Sequence, residues 1–267
     1  MQAIRQALGA YADRVRAEVY DSLDSTNTLA KSRPDEDIPI LIIARTQTGG
    51  RGRLGRSFHS PARTGLYMTV AYTTEKPLSE AVRVTCAAAV AAVSAIEALT
   101  DRRPSVKWVN DLYLNGCKVG GILTEAVTRP DGLHRMVVGI GLNLTTAEFP
   151  EGLRAPAAPL FSEEEAAALP PDFADILAAE ITRRLLELAE ASPACPFPEG
   201  MNGTACLDFY RRRLLYVGEP VVCTRGTERI VGVMTGVDHD YSLLLNVGGE
   251  VLTLSSGEIS VRPLEKI

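Results

Sequence analysis

Residues 47–56 read Q-T-G-G-R-G-R-L-G-R and lie between an apolar run ending at Ala44 and the aromatic Phe58. Arg51, Arg53 and Arg56 are set among Gly49, Gly50, Gly52 and Gly55, so planar cationic forks hang from a backbone free to take positive φ. Such a loop can wrap an anion: unshielded backbone N–H groups cradle phosphate or carboxylate oxygens while guanidinium groups pair with them bidentately. Residues 50–55 also match G-x-G-x-x-G, but the dinucleotide fingerprint needs a helix opening at its last glycine. Here Ser57, His59, Ser60 and Pro61 lead instead into a second strand-like run at 65–72, which argues against a Rossmann site. A disordered arginine-glycine segment for nucleic acid would need low-complexity flanks, and these flanks are apolar. The loop is expected to sit on a sheet, its ends held by neighbouring strands at 38–44 and 65–72.

Working outward, 267 residues with 46% hydrophobic and 23% charged side chains describe a globular protein of one large domain, or one domain plus a small one. A net charge of −5 gives no general attraction to nucleic acid or anionic membrane, so the arginine loop is a local exception. Five scattered cysteines without C-x-x-C are unlike a disulfide framework and point to a reducing cytoplasm. His59, His134 and His239 lack zinc-ligand spacing. With no apolar leader and no uncharged run of membrane-spanning length, the chain is expected to be neither secreted nor embedded.

Ile4, Leu8, Tyr11 and Val15 fall at helical spacing and predict an amphipathic helix within residues 1–18, too short for the paired helices of a DNA-reading module. Ser25 is a good N-cap for a short helix through Leu29 and Ala30; its hydroxyl serves a ligand only if that helix start faces a cleft. Residues 78–99 form an alanine-rich core helix with Glu80, Arg83 and Glu97 on solvated sides, ended by residues 101–104. Residues 106–125 read as strand, Asn115-Gly116 turn and strand, and 136–144 as a buried strand that Gly139 and Gly141 thin on one face. Residues 145–160 make a long, proline-containing loop of the lid type, and 171–190 an amphipathic helix. Residues 192–203 are a connection before a helix at 206–216, where Arg211, Arg212 and Arg213 read as a solvated face. Strand-like runs at 220–224, 229–237, 242–247, 250–254 and 259–262 predict a small β-barrel with no visible catalytic constellation, suited to support, docking or dimer contact.

A second chemical signal lies at Lys107, Asn110 and Asp111, charged or polar among strand-forming residues, where burial is costly unless each is paired or engaged by a ligand. Asp111 with the Asn110 amide oxygen suits Mg²⁺ and Lys107 suits phosphate, although N-D before a turn is also ordinary turn chemistry. Lys118 precedes Gly120-Gly121, where a flat ligand can approach the backbone; it either faces a carboxylate or lies exposed on the hairpin. Phe58 is a core anchor or a surface on which a base stacks.

In order and spacing these segments resemble biotin protein ligases, whose catalytic domain is related to lipoate ligases and shares a fold with class II aminoacyl-tRNA synthetases. The likeness rests on D-S-T-N at 24–27, Q-x-x-G-R-G-R-x-G-R from Gln47, K-W-x-N-D-L-Y at 107–113, K-x-x-G-I-L at 118–123, G-x-G-x-N at 139–143 and G-E-I-S at 257–260, and so spans nearly the whole chain. It implies an α+β fold, with a mixed sheet and helices over 1–216 as the catalytic domain and a C-terminal SH3-like β-barrel over 217–267. It implies that biotin and ATP give biotinyl-5'-AMP and pyrophosphate, and that a lysine of a biotin carboxyl carrier domain then attacks the adenylate, in one cytoplasmic site. A homodimer is among the expected assemblies.

By the same resemblance, Ser25, Thr26, Asn27 and Gln47 serve the ureido ring, and Arg51, Gly52 and Arg53 belong to the ordering loop. Lys118 holds the biotin carboxylate and the developing adenylate, while Lys107, Asn110, Asp111, Arg56 and Asn143 serve ATP and Mg²⁺. Asn110 and Asp111 are the implied metal ligands; Gly50, Gly121 and Gly139 are further binding positions; Lys118, Arg53 and Lys107 are the implied catalytic groups. The chain departs from the pattern in carrying Val109 where proline is common and Phe58 where tryptophan is common, changes expected to leave activity intact. Its N-terminus lacks the DNA-binding module of repressor-type members, so no operator binding is expected. A lipoate or octanoate ligase of the same fold and a non-catalytic nucleotide-binding module are the competing readings; the arginine-glycine loop and terminal barrel favour biotin.

Overall fold

The first helix is shorter than its periodicity predicts. In the structure, a computed structural model describing residues 1–153, 155–190, 203–255 and 259–264, α1 spans only Gln2–Leu8. Gly9, at φ 55°, stops it in the left-handed region. Ile4, Leu8, Tyr11 and Val15 are all buried, but Arg16–Tyr20 forms strand β1, parallel to β2 (Ile40–Ala44). Pairing with a distant segment here overrides local helical periodicity.

Between them lies α2 (Thr26–Lys31), and beyond them β3 (Gly65–Thr74), α3 (Ala81–Leu99), β4 (Ser105–Lys107), β5 (Asp111–Leu114), β6 (Cys117–Thr128) and β7 (His134–Asn143). The seven strands form one sheet in the order β1-β2-β3-β7-β6-β5-β4, antiparallel except for β1 with β2. The hairpin expected at 106–125 is present, with Asn115 and Gly116 both at positive φ as a two-residue turn requires. Its first strand, however, is two. Residues 108–110 turn through a cis peptide between Trp108 and Val109, and β4 folds back on β5 with Lys107 opposite Asp111. The two charged residues thereby share one cross-strand position.

One face of the sheet is covered by α3, with α5 (Phe173–Glu190) packed over it and α1 against α5. Leu78–Leu99 is by length and composition apolar enough to cross a membrane, and here its alanines and valines from Ala88 to Ala95 are buried in this core, where small side chains permit close approach. A short helix that the periodicity did not announce, α4 (Glu163–Ala167), is specified by a capping box: Ser162 Oγ accepts from Glu165 N while Glu165 accepts from Ser162 N. Helix α6 is Gly203–Arg213 rather than 206–216, because Leu214 leaves it to bridge Val106 beside β4. Its arginines are not merely solvated: Arg211 donates to Val237 O and Arg213 to Glu97 of α3. The opposite face carries α2 over Ile40, Ile42, Ala71 and Val137, and α2 covers only part of it.

The small C-terminal β unit contains β8 (Pro220–Arg225), β9 (Glu228–Val237), β10 (Leu243–Val247), β11 (Glu250–Leu254) and β12 (Ile259–Pro263), in the order β11-β10-β9-β8-β12. It is tied to the turn between β4 and β5 by the Trp108 indole, which donates to Tyr241 O at 2.8 Å, and to α6 by the Arg211 bond. The connection at 192–202 with Cys195, the turn at Ser256-Gly257 and the first half of the G-E-I-S motif lie outside the described residues. Cys86, Cys117, Cys206 and Cys223 are free thiols.

Candidate active site

Beside the N-terminus of α2, the sheet lacks side chains, and strand register explains why the gap is continuous. Asp111 on β5 pairs with Gly121 on β6, Gly121 with Gly141 on β7, and Gly141 with Tyr67 on β3. One row further on, Leu123 pairs with Gly139 and Gly139 with Thr69. This glycine floor opens into a cavity of about 460 Å³, a volume suited to a ligand of nucleotide size. Ser25, Thr26, Asn27, Gln47, Arg51, Gly52, Arg53, Arg56, Lys107, Asn110, Asp111, Lys118, Gly121, Gly139 and Asn143 line it. Gly50 does not. It is buried behind the wall, where a Cβ would overlap the Phe58 carbonyl oxygen and lie 2.6 Å from Ser60 Oγ, so it shapes the loop without facing the cavity. Phe58 is half-buried and faces inward, its ring occupying the space over Gly141, 2.5 Å from where a Cβ would stand.

One end of the cavity is a fixed polar wall. Ser25 caps α2 by accepting from Thr28 N at 3.4 Å and is itself buried at the wall, so the cap and the cleft-facing hydroxyl are one position. Gln47 Oε1 accepts from Thr26 N (2.9 Å) and Thr26 Oγ1 (3.1 Å), and Gln47 Nε2 donates to Ser60 Oγ (3.1 Å). Asn27 Oδ1 accepts from Thr69 Oγ1 at 2.7 Å, while its Nδ2 donates to Leu123 O and Glu125 Oε2. Oriented amide and hydroxyl groups of this kind suit a neutral hydrogen-bonding ring better than a bare alkyl chain.

The other end is cationic. Lys118 Nζ lies 2.6 Å from Asp111 Oδ1. Its main chain is clamped by the 145–160 loop, donating to Pro156 O at 2.8 Å and accepting from Ala158 N at 3.1 Å. Arg53 donates to Asn110 Oδ1 at 3.1 Å, and burial pulls its pKa below the ordinary arginine range. Burial also lowers the pKa of Lys107, against the opposing charge of Asp111; its ammonium sits 5.5 Å from the Tyr113 ring centre. Arg56 is on the exposed rim. Between Arg53 and Arg56, Leu54 holds φ 58° with its side chain exposed, a conformation costly for a residue other than glycine and common at functional loops. Phe149, Gly152, Leu153, Ala155 and Ala157 of the long loop also line the cavity, and the Phe149 ring lies 6.3 Å from His59.

Four further lining residues have no functional role assigned from the sequence: Met68 and Arg262 lie outside the motif segments, and Tyr113 and Ser260 are the last residues of two of them. The C-terminal unit, expected to give support, docking or dimer contact, also contributes to the cavity: β12 brings Ser260 and Arg262 to its wall, and Arg262 adds to the positive field on Lys107. The available hint was the G-E-I-S motif, which contains Ser260 and ends two residues before Arg262.

The model of the biotin/lipoate A/B protein ligase family matches residues 19–143. The chain is 30% identical over 262 residues to the biotin-(acetyl-CoA-carboxylase) ligase of Mycobacterium tuberculosis, covering 95% of this chain and 92% of that one. It is 36% identical over 138 residues to the bifunctional ligase/repressor BirA of Bacillus spizizenii, a match that takes in 50% of this chain and spans less than half, 42%, of that relative. Among solved structures, the biotin protein ligase from Aquifex aeolicus in complex with biotin and ATP superimposes with a TM-score of 0.73 at 25% identity, over 93% of this chain and 99% of that one. The near full-length match to the Mycobacterium ligase, on a cavity built from the motif segments themselves, shows that the chain belongs to the biotin/lipoate A/B protein ligase family.

Proposed function

We propose that this protein is an ATP-dependent ligase that activates biotin as biotinyl-5'-AMP and transfers biotin to a lysine of a biotin carboxyl carrier domain. The observation that carries this reading is the two-ended cavity, a wired polar wall at Thr26 and Gln47 facing a cluster of cations at Arg53, Lys107 and Lys118. The Aquifex relative bound to biotin and ATP supports it. The biotin carboxylate, oriented by Lys118, attacks the α-phosphorus; the bond to pyrophosphate breaks and its charge is met by Lys107 and the loop arginines. The carrier lysine then attacks the acyl carbon and AMP leaves. Neither step needs a protein nucleophile, so positioning and charge cancellation are the enzyme's contribution. Asp111 and Asn110 offer only oxygen donors, which fit Mg²⁺ arriving with ATP, although Lys118 and Arg53 each engage one of those oxygens here. Magnesium would supply further neutralisation of the phosphates. Free thiols and the absence of disulfides among the described residues support a cytoplasmic site of action. Adenylation assayed with biotin, lipoate and octanoate in competition tests the assignment; equal or faster use of lipoate overturns it.

Two outcomes follow for the cationic end. Arg53→Gly removes one charge-assisted contact worth about 1.5–3 kcal/mol, so the adenylate should still form but dissociate roughly ten- to a hundredfold faster. Unchanged retention in a filter-trapping assay would remove Arg53 from the loop's holding role. Because burial lowers the Lys107 pKa, its charge disappears at a lower pH than an ordinary lysine's. The KM for ATP should therefore rise on the alkaline side, and Lys107→Arg, charged throughout, should flatten that rise. The same alkaline limb in both proteins would assign the titration to another group.

A further inference from the structure

The polar wall does not end at the cavity. Glu125, on β6 and behind the lining, accepts from Asn27 Nδ2 at 3.0 Å and from Lys31 Nζ at 2.6 Å, and its Oε1 lies 3.5 Å from the Arg51 guanidinium. Its side chain is 20% exposed. Burial by itself would raise its pKa, but hydrogen bonds from Lys31 and Asn27 and the charges of Lys31 and Arg51 more than offset this, leaving the group below the ordinary carboxylate range and ionised at neutral pH. Two of its three partners, Asn27 and Lys31, belong to α2; the third belongs to the glycine-arginine loop.

From Arg51 the contacts run through Glu125, Asn27, Thr69 and Thr26 to Gln47. They therefore leave the loop at one residue and return to it four positions earlier, having crossed the helix and strands that frame the polar end of the cavity. Docking of α2 alone accounts for the Lys31 and Asn27 bonds; it does not account for a carboxylate placed toward Arg51. Lys31 and Arg51 share Oε1 while Asn27 donates to Oε2, so a glutamine, with one acceptor oxygen and no charge, weakens the hold on Arg51 and cannot keep all three contacts.

We infer that Glu125 is a positioning residue whose carboxylate anchors Arg51 to the strand and helix bearing the polar pocket, and so holds the 47–60 loop over the cavity. The effect on ligand retention rests on the proposed function, whereas the effect on the empty loop does not. An exposed or half-exposed ion pair of this kind is worth at most a few-fold in any equilibrium it biases, so the expected changes are modest and specific.

The test uses the full chain and two readouts. In the ligand-free protein, tryptic cleavage after Arg53 and Arg56 should be about two- to fivefold faster in Glu125→Gln than in the parent. Arg51→Gln should show the same acceleration, and the double variant no more than either single one. Lys31→Met, which removes the other ion pair on Glu125 but not the loop contact, should leave loop cleavage at the parent rate. Additive effects of Glu125→Gln and Arg51→Gln, or an equal acceleration in Lys31→Met, overturn the inference by showing that Glu125 acts through α2. With biotin and ATP, Glu125→Gln should release adenylate about two- to fivefold faster while its saturated rate of adenylate formation falls less than twofold; a fall in that rate with no change in release also overturns it. If the parent makes no biotinyl adenylate, the ligase reading fails while the proteolysis result still decides the loop contact.

Discussion

Alanine at Lys118 is expected to slow adenylate formation by about a hundred- to a thousandfold, the usual cost of removing a fixed donor aimed at charge that develops in a transition state. The fold should survive the change. Both partners of the Lys118–Asp111 pair are partly exposed, 30% and 25%, so the pair contributes about 0–1 kcal/mol after solvent screening. The main chain at 118 is held by Pro156 and Ala158 whatever the side chain. Two negatively charged groups, the substrate carboxylate and the α-phosphate, must approach each other during the reaction, and the ammonium is the cation held beside Asp111 on the glycine floor. ATP–pyrophosphate exchange isolates this step. Supplied with preformed biotinyl-5'-AMP, the variant should transfer biotin to a carrier domain within about tenfold of the parent, because the later attack no longer brings two anions together. Exchange within tenfold of the parent would show that Lys118 is only the counter-ion of Asp111.

How far this site was legible beforehand follows from the range of the interactions that build it. Turn and cap chemistry is local: Asn115-Gly116 announces its turn and Ser25 its helix, and both are as read. Motif segments such as residues 47–56 and 118–123 could be placed beside one another through the family likeness, and both meet at the cavity, the second on a floor set by sheet register and the first in a loop of its wall. What failed depends on distant partners. Residues 16–20, R-A-E-V-Y, alternate polar and apolar over too few positions to stand against the helical spacing of Ile4, Leu8, Tyr11 and Val15, and they pair with β2 as β1. The turn at 108–110 is hidden because β4 and β5 are each too short to show alternation around it. Arg262 joins the cavity through packing between two sheets, which no local pattern encodes.

Gly139→Ala is expected to weaken biotin binding about tenfold or more and to lower the melting temperature by several degrees. A Cβ at this position would overlap Asn27 Oδ1 and lie 2.9 Å from its Cγ. Many side chains could move aside; this one is pinned by Thr69 at 2.7 Å, Glu125 at 3.0 Å and Leu123 O at 3.2 Å. Relief therefore requires either displacing α2 from the sheet or breaking buried hydrogen bonds worth about 1 kcal/mol each, on top of an overpacking cost of about 1–3 kcal/mol. Either route disturbs Thr26 and Gln47, whose mutual bonds set the polar wall. Gly121→Ala is the internal control. Its Cβ would meet Asp111 Oδ1 and Lys118 Nζ at 3.4 Å, ordinary contact distance with the ends of flexible side chains, so its melting temperature should stay near the parent's. Calorimetric biotin titration and thermal melts of the two variants separate a wall that cannot yield from one that can. Parent-like melting and biotin affinity in Gly139→Ala would show that Asn27 can yield, and that its hydrogen bonds do not fix the pocket.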